Sequence, residues 1–195
     1  MSNTIIEDGT GKGFKVKVSS QNHLQVDAIG VEEITHISSS YGAAYTFHME
    51  RTMLAANTFE DVGFFTYTGN YKLQVDTIVA SREDVALVSG DQAVVEIMTG
   101  VTYTSGGASI TASNLNLGSS NILAATGYSG ATTLVTDNSN EDEILDVAFR
   151  DTFQVDLDGA LILNKGDSIS LIAKSKNIGD TVHVTVSLYE VTEVI

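Results

Sequence analysis

The glycine cluster Gly9-Thr10-Gly11-Lys12-Gly13 has the composition of a phosphate-cradling loop. A P-loop, however, puts Ser or Thr directly after Gly-Lys, and here Lys12 is followed by Gly13 and Phe14. No strand signal precedes it either, so the cluster reads as part of a flexible arm. Gly127-Tyr128-Ser129-Gly130-Ala131 approaches the nucleophile-elbow pattern but lacks its last glycine and any α/β framework. His23, His36, His48 and His183 are far apart and share no helical ligand spacing. His48 and His183 sit on the polar phase of alternating segments, so all four read as surface residues and no metal site is predicted. Asp137-Asn138-Ser139-Asn140-Glu141 offers oxygen ligands at alternate positions, but Asp142 stands where an EF-hand needs glycine and Ala148 where it needs glutamate. A looser calcium site on Asp137, Glu141 and Asp142 is the alternative to a solvated acidic turn. Asp156-Leu157-Asp158-Gly159 reads as a turn with a favourable glycine. Carboxylates for glycosidic chemistry need only meet in space, and no pair stands out. Trp is absent, which removes the best stacking platform for a sugar. No catalytic residue and no cofactor is expected.

Composition narrows the partners. The 25 acidic and 10 basic residues give a formal charge of -15, which opposes binding that depends on neutralising phosphates, so nucleic acid is not an expected partner. Lys12, Lys15 and Lys17 cluster near the start, whereas no Lys or Arg lies between Arg82 and Arg150. There is no cysteine, so neither disulfides nor thiolate chemistry is available. No apolar run is long enough for a helical membrane span, and the opening residues lack the basic and apolar regions of a secretory signal. Synthesis in a cytoplasm and no membrane partner are the expectations.

Apolar residues recur with period two along most of the chain, the signature of half-buried strands. Residues 1–13 read as an extended arm, able to reach about 40 Å at ~3.3 Å per residue. Phe14, Val16 and Val18, then Leu24, Val26 and Ala28, open a single domain spanning 14–195. A short helix is considered around Val31–Ile37. Tyr45, Phe47 and Met49 form one inward face, and Leu73, Val75 and Val79 another. Val94–Tyr103 is more continuously apolar and reads as a strand buried on both sides.

Residues 97–136 carry no charge, and they read as a long polar excursion with a few short strands. The alternative is that part of it lies against another subunit, where a charge is costly to desolvate. Glu141-Asp142-Glu143 behind Asn140 resembles the start of a helix. Phe153, Val155 and Leu157 then alternate. The turns Asn164-Lys165-Gly166-Asp167 and Asn177-Ile178-Gly179-Asp180 lead into Ile169–Ala173 and Val182–Leu188, which read as antiparallel hairpins. The predicted fold is all-β, an antiparallel sandwich of jelly-roll type with an N-terminal arm.

The stretch Glu7-Asp8-Gly9-Thr10-Gly11-Lys12-Gly13-Phe14-Lys15-Val16-Lys17-Val18, followed by Asn22-His23-Leu24-Gln25-Val26, resembles the opening of a group of tailed-bacteriophage virion proteins. Gly42-Ala43-Ala44-Tyr45 is similar to their next segment; His23 departs from the basic residue often found there. The resemblance implies an oligomeric, non-enzymatic virion component assembled in the host cytoplasm. A capsid-decorating homotrimer is expected, with the major capsid protein or other virion proteins as partners. Gly9, Gly11, Lys12, Gly13, Phe14, Lys15 and Lys17 are the expected contact residues. The alternatives are a neck, tail or fibre component, and a calcium- or carbohydrate-binding module.

Overall fold

The computed structural model describes residues 42–85, 91–137 and 141–191, and no helix occurs among them. The arm, the seven expected contact residues, the strands at Phe14–Val18 and Leu24–Ala28, and the helix near Val31 lie outside the described residues.

Among the described residues, eleven strands form two sheets. Sheet 1 has the order β6 (Ser113–Asn114), β1 (Ala44–Thr52), β11 (Thr181–Val191), β3 (Lys72–Glu83), β9 (Thr152–Leu163). Sheet 2 runs β5 (Thr102–Ile110), β7 (Ala125–Asp137), β2 (Glu60–Tyr67), β10 (Ser168–Ser175), β4 (Ala93–Thr99), β8 (Asp142–Phe149). Setting β5 to β7 aside, the chain pairs β1 with β11, β2 with β10, β3 with β9 and β4 with β8, all antiparallel. That nesting is one long hairpin rolled so that successive strands alternate between sheets, which is the jelly roll. β5 to β7 are inserted at the hairpin's tip.

The rolled topology corrects the reading of the C-terminal third. Both predicted turns are present, with Gly166 at φ 96° and Gly179 at φ 94°. Yet neither closes a hairpin, because β10 pairs with β2 and β4 while β9 and β11 belong to the other sheet. Turn residues say where a chain reverses; when two inner faces are equally apolar, they do not say which sheet receives the next strand.

Three further corrections follow from pairing. Residues 142–149 form β8, where Leu145, Val147 and Phe149 oppose Ile97, Val95 and Ala93 of β4. Their period-two pattern outweighs the helix-like acids ahead of it. On β3 the register shifts between Val75 and Thr77, so Asp76 is an extra residue. Such a bulge reverses the facing of everything beyond it, and Ile78 and Ala80, rather than Val79, enter the core. Asp156–Gly159 reverses nothing either: β9 runs through it, with its ladder to β3 interrupted between Asp156 and Leu161.

The core lies between the sheets, with Tyr45, Phe47 and Met49 of β1 facing Phe65 and Tyr67 of β2 and Ile169 and Leu171 of β10. A second, smaller core covers the opposite face of sheet 2. Gly100, at φ 74°, ends β4, so the predicted continuous strand over 94–103 is two strands. Val101 and Leu134 pack with Phe64, Met98 and Ile172, side chains one step out of phase with the main core. The Ser168 hydroxyl donates to the Val101 carbonyl at 2.6 Å, holding the crossing in place. Gly106, at φ 75°, lets β5 close on β7, since a Cβ there would stand 1.9 Å from the Thr133 carbonyl oxygen. The charge-free stretch is therefore mostly strand, and part of its apolar content is used within its own chain.

Candidate functional site

What the second core does not use is displayed. Between β6 and β7 the chain forms a loop whose own polar side chains fix it. Asn114 Nδ2 donates to the carbonyls of Gly42 (2.8 Å) and Asn121 (3.0 Å), while Asn114 Oδ1 accepts from the Asn116 amide at 2.8 Å. Asn116 Oδ1 accepts from the Gly118 amide at 3.0 Å, and Ser119 Oγ from the Asn121 amide at 3.1 Å. These are local side-chain-to-backbone closures of the kind that favour Asn and Ser in turns. The Leu115 amide donates to the Ala44 carbonyl at 2.9 Å, tying the loop to β1.

Leu123 enters the main core. Its neighbours point the other way: Leu117 is 97% exposed, Ile122 75% and Leu115 50%. Apolar side chains held outward on a polar-braced, uncharged loop form a surface suited to burial by a partner. Leu54, Val85 and Ile178 are also exposed, beyond the other end of β1, but charged residues stand within three positions of each: Arg51 before Leu54, Arg82 and Asp84 before Val85, and Lys176 before Ile178.

Beneath the insertion, one ion pair joins the two sheets. Arg51 of β1, 8% exposed, donates from Nε (2.7 Å) and Nη2 (2.5 Å) to Glu60 Oε2 of β2, and from Nη1 to the Gly130 carbonyl of β7 at 3.0 Å. Glu60 Oε1 accepts from the amides of Leu54 (2.7 Å) and Ala55 (2.8 Å). Burial works to raise the Glu60 pKa, but these donors and the guanidinium together hold it below the ordinary value. Asp61, the next residue, is shifted upward by burial although the Thr136 hydroxyl donates to it at 2.8 Å.

On the outer face of sheet 1, His48, Glu50 and His183 come together, a convergence the sequence reading missed. Glu50 is the ladder partner of His183, and His48 lies two residues along β1. A His-x-Glu step in a strand was the available signal; only the β1–β11 register supplies the third member. Asp137, Glu141 and Asp142 do not form such a group, and Asp142 and Glu143 lie in the β8 ladder. Ser129, the residue of the elbow-like motif, is buried, its Oγ accepting from the Glu50 amide at 3.0 Å. No protein-family model matches the chain, and the search of curated proteins finds no match to it.

Proposed function

We propose that the protein is a non-enzymatic structural subunit that assembles with copies of itself, as a trimer, and decorates the capsid exterior of a tailed-phage virion. Self-assembly rests on one observation, the braced charge-free loop that presents Leu115, Leu117 and Ile122. A chain of charge -15 repels its own copies wherever its acids face each other. Copies can approach most closely where charge is missing, and residues 97–136 are that stretch. The virion setting is supported by the likeness of residues 7–26 to tailed-phage proteins; a jelly roll is in keeping with it. The shell-side partner in this reading is the major capsid protein.

Sedimentation of a triple variant, Leu115→Asp, Leu117→Asp and Ile122→Asp, tests the reading. Because these side chains are exposed in the subunit, the substitutions should leave its stability nearly unchanged, within about 0.5 kcal/mol each. The wild-type chain should be trimeric at micromolar concentration and the variant monomeric, with self-affinity lowered at least ~100-fold, the scale of losing central apolar anchors. A wild-type monomer at about 100 μM, or a variant that stays trimeric, would refute it.

A further inference from the structure

The geometry points to a binding site for one divalent transition-metal ion of the zinc class, formed by the imidazoles of His48 and His183 and the carboxylate of Glu50. All three stand on the outer face of sheet 1, and one donor atom from each lies within 4.8 Å of the others. Donors around a tetrahedral zinc at ~2.0–2.2 Å sit roughly 3.4 Å apart, so the cluster needs to contract by about an ångström. Side-chain rotation alone can do this, because His48 is exposed and Glu50 and His183 are half-buried. The backbone beneath is fixed: β11 lies between β1 and β3, with Glu50 opposite His183 and His48 opposite Thr185.

Neighbouring groups already orient the donors. His48 Nδ1 is 3.2 Å from Thr185 Oγ1, which leaves Nε2 for the ion and gives the ring the kind of hydrogen-bonded partner that ligating imidazoles commonly have. His183 Nδ1 is 3.3 Å from Glu50 Oε2 and its Nε2 is 3.8 Å from Glu83 Oε2, so with Nδ1 on the ion the Glu83 carboxylate stands at the far ring nitrogen, the place of the outer acceptor that ligating imidazoles commonly have. The two rings stack with centroids 5.6 Å apart at 18°, so they are neighbours, and each rotates out of the stack to bring a nitrogen to the shared ion. Two imidazoles and a carboxylate select zinc, copper or nickel over calcium and magnesium, which prefer all-oxygen shells. The chain's negative field raises the local concentration of any cation. Such an ion would clip the first described strand to the last.

The test is calorimetric titration of the full chain with Zn²⁺, beside Ca²⁺ as a hard-ion control and with circular dichroism confirming the fold of each variant. One zinc per chain is expected, with affinity lowered at least ~10-fold in His183→Ala and in His48→Ala, and undiminished in a His23→Ala/His36→Ala double variant. At 100 times its dissociation constant, Zn²⁺ should raise Tm by about 5–10 °C in the wild-type chain and not in His183→Ala. Undiminished binding in a His48→Ala/His183→Ala variant, no heat at millimolar zinc, or a response that Ca²⁺ reproduces would each overturn the site. Since His48 is exposed, its variant decides the matter even if His183→Ala unfolds.

Discussion

Replacing Arg51 by Ala should lower stability by about 3–5 kcal/mol, because it leaves the Glu60 carboxylate largely buried without its cation. For a chain of this size that is a fall in Tm on the order of 10 °C. The loss should reach both sheets, since the same guanidinium also holds the Gly130 carbonyl of the inserted strand β7. An Arg51→Met/Glu60→Leu double variant should recover most of it, as a buried ion pair replaced by apolar side chains of similar volume is often close to neutral. The Leu54 amide, which then loses its acceptor, is exposed, while the buried Gly130 carbonyl left without its donor accounts for the part not recovered. Thermal melts of the three proteins check this; a double variant as unstable as Arg51→Ala would show that the pair's attraction, not the stranded charge, carries the effect.

Acid should expose the same carboxylate. The folded pKa of Glu60 lies below its reference value of 4.5, so its stabilising contribution is complete above about that pH and is lost as pH falls towards the depressed folded value. Asp61 is shifted the opposite way, so the contribution of Glu60 is read as a difference between proteins. Denaturation of wild type and Glu60→Gln should give curves that converge as pH drops through the region below about 4.5. Curves that stay parallel there would remove Glu60 as the source of the acid sensitivity.

Phe47→Ala should cost about 3–5 kcal/mol, the range for emptying a buried aromatic site. The Phe47 ring, from sheet 1, stacks on Phe65 of sheet 2 with centroids 4.9 Å apart at 25°. It also fills the space above Gly127, where a Cβ would meet it at 2.8 Å. Truncation therefore removes contacts among three strands at once. Urea unfolding should show a lower midpoint with an unchanged slope, while Phe47→Leu should lose clearly less. A Phe47→Ala loss below about 1 kcal/mol would mean that the sheets collapse into the vacancy.

The architecture was legible wherever one side chain in two had to be apolar. Tyr45, Phe47 and Met49, and Val182, Val184 and Val186, were read from period two and are buried. Pairing was not legible, because it depends on which apolar face meets which: the turns at Gly166 and Gly179 were visible, but the sheet change across them was not. Nor was the extra residue at Asp76, since a bulge alters phase without altering composition. The same limit hid the His48, Glu50 and His183 group, whose members are adjacent only through interstrand register. The charge-free stretch is plain in the sequence, but which of its apolar side chains point outward depends on turns braced by Asn116, which closes on the nearby Gly118 amide, and by Asn114, which reaches back to the remote Gly42 carbonyl.

The nesting of β1 with β11 also bears on biosynthesis. Ala44 finds its partner only at Tyr189 and Thr52 only at Thr181, so a ribosome must deliver almost the whole described chain before sheet 1 can zip shut. Until then the edge of β1 that pairs with β11 waits without its neighbour, and contacts so remote along the chain form slowly. The interval in which a growing chain is most open to mispairing is thus set by translation speed.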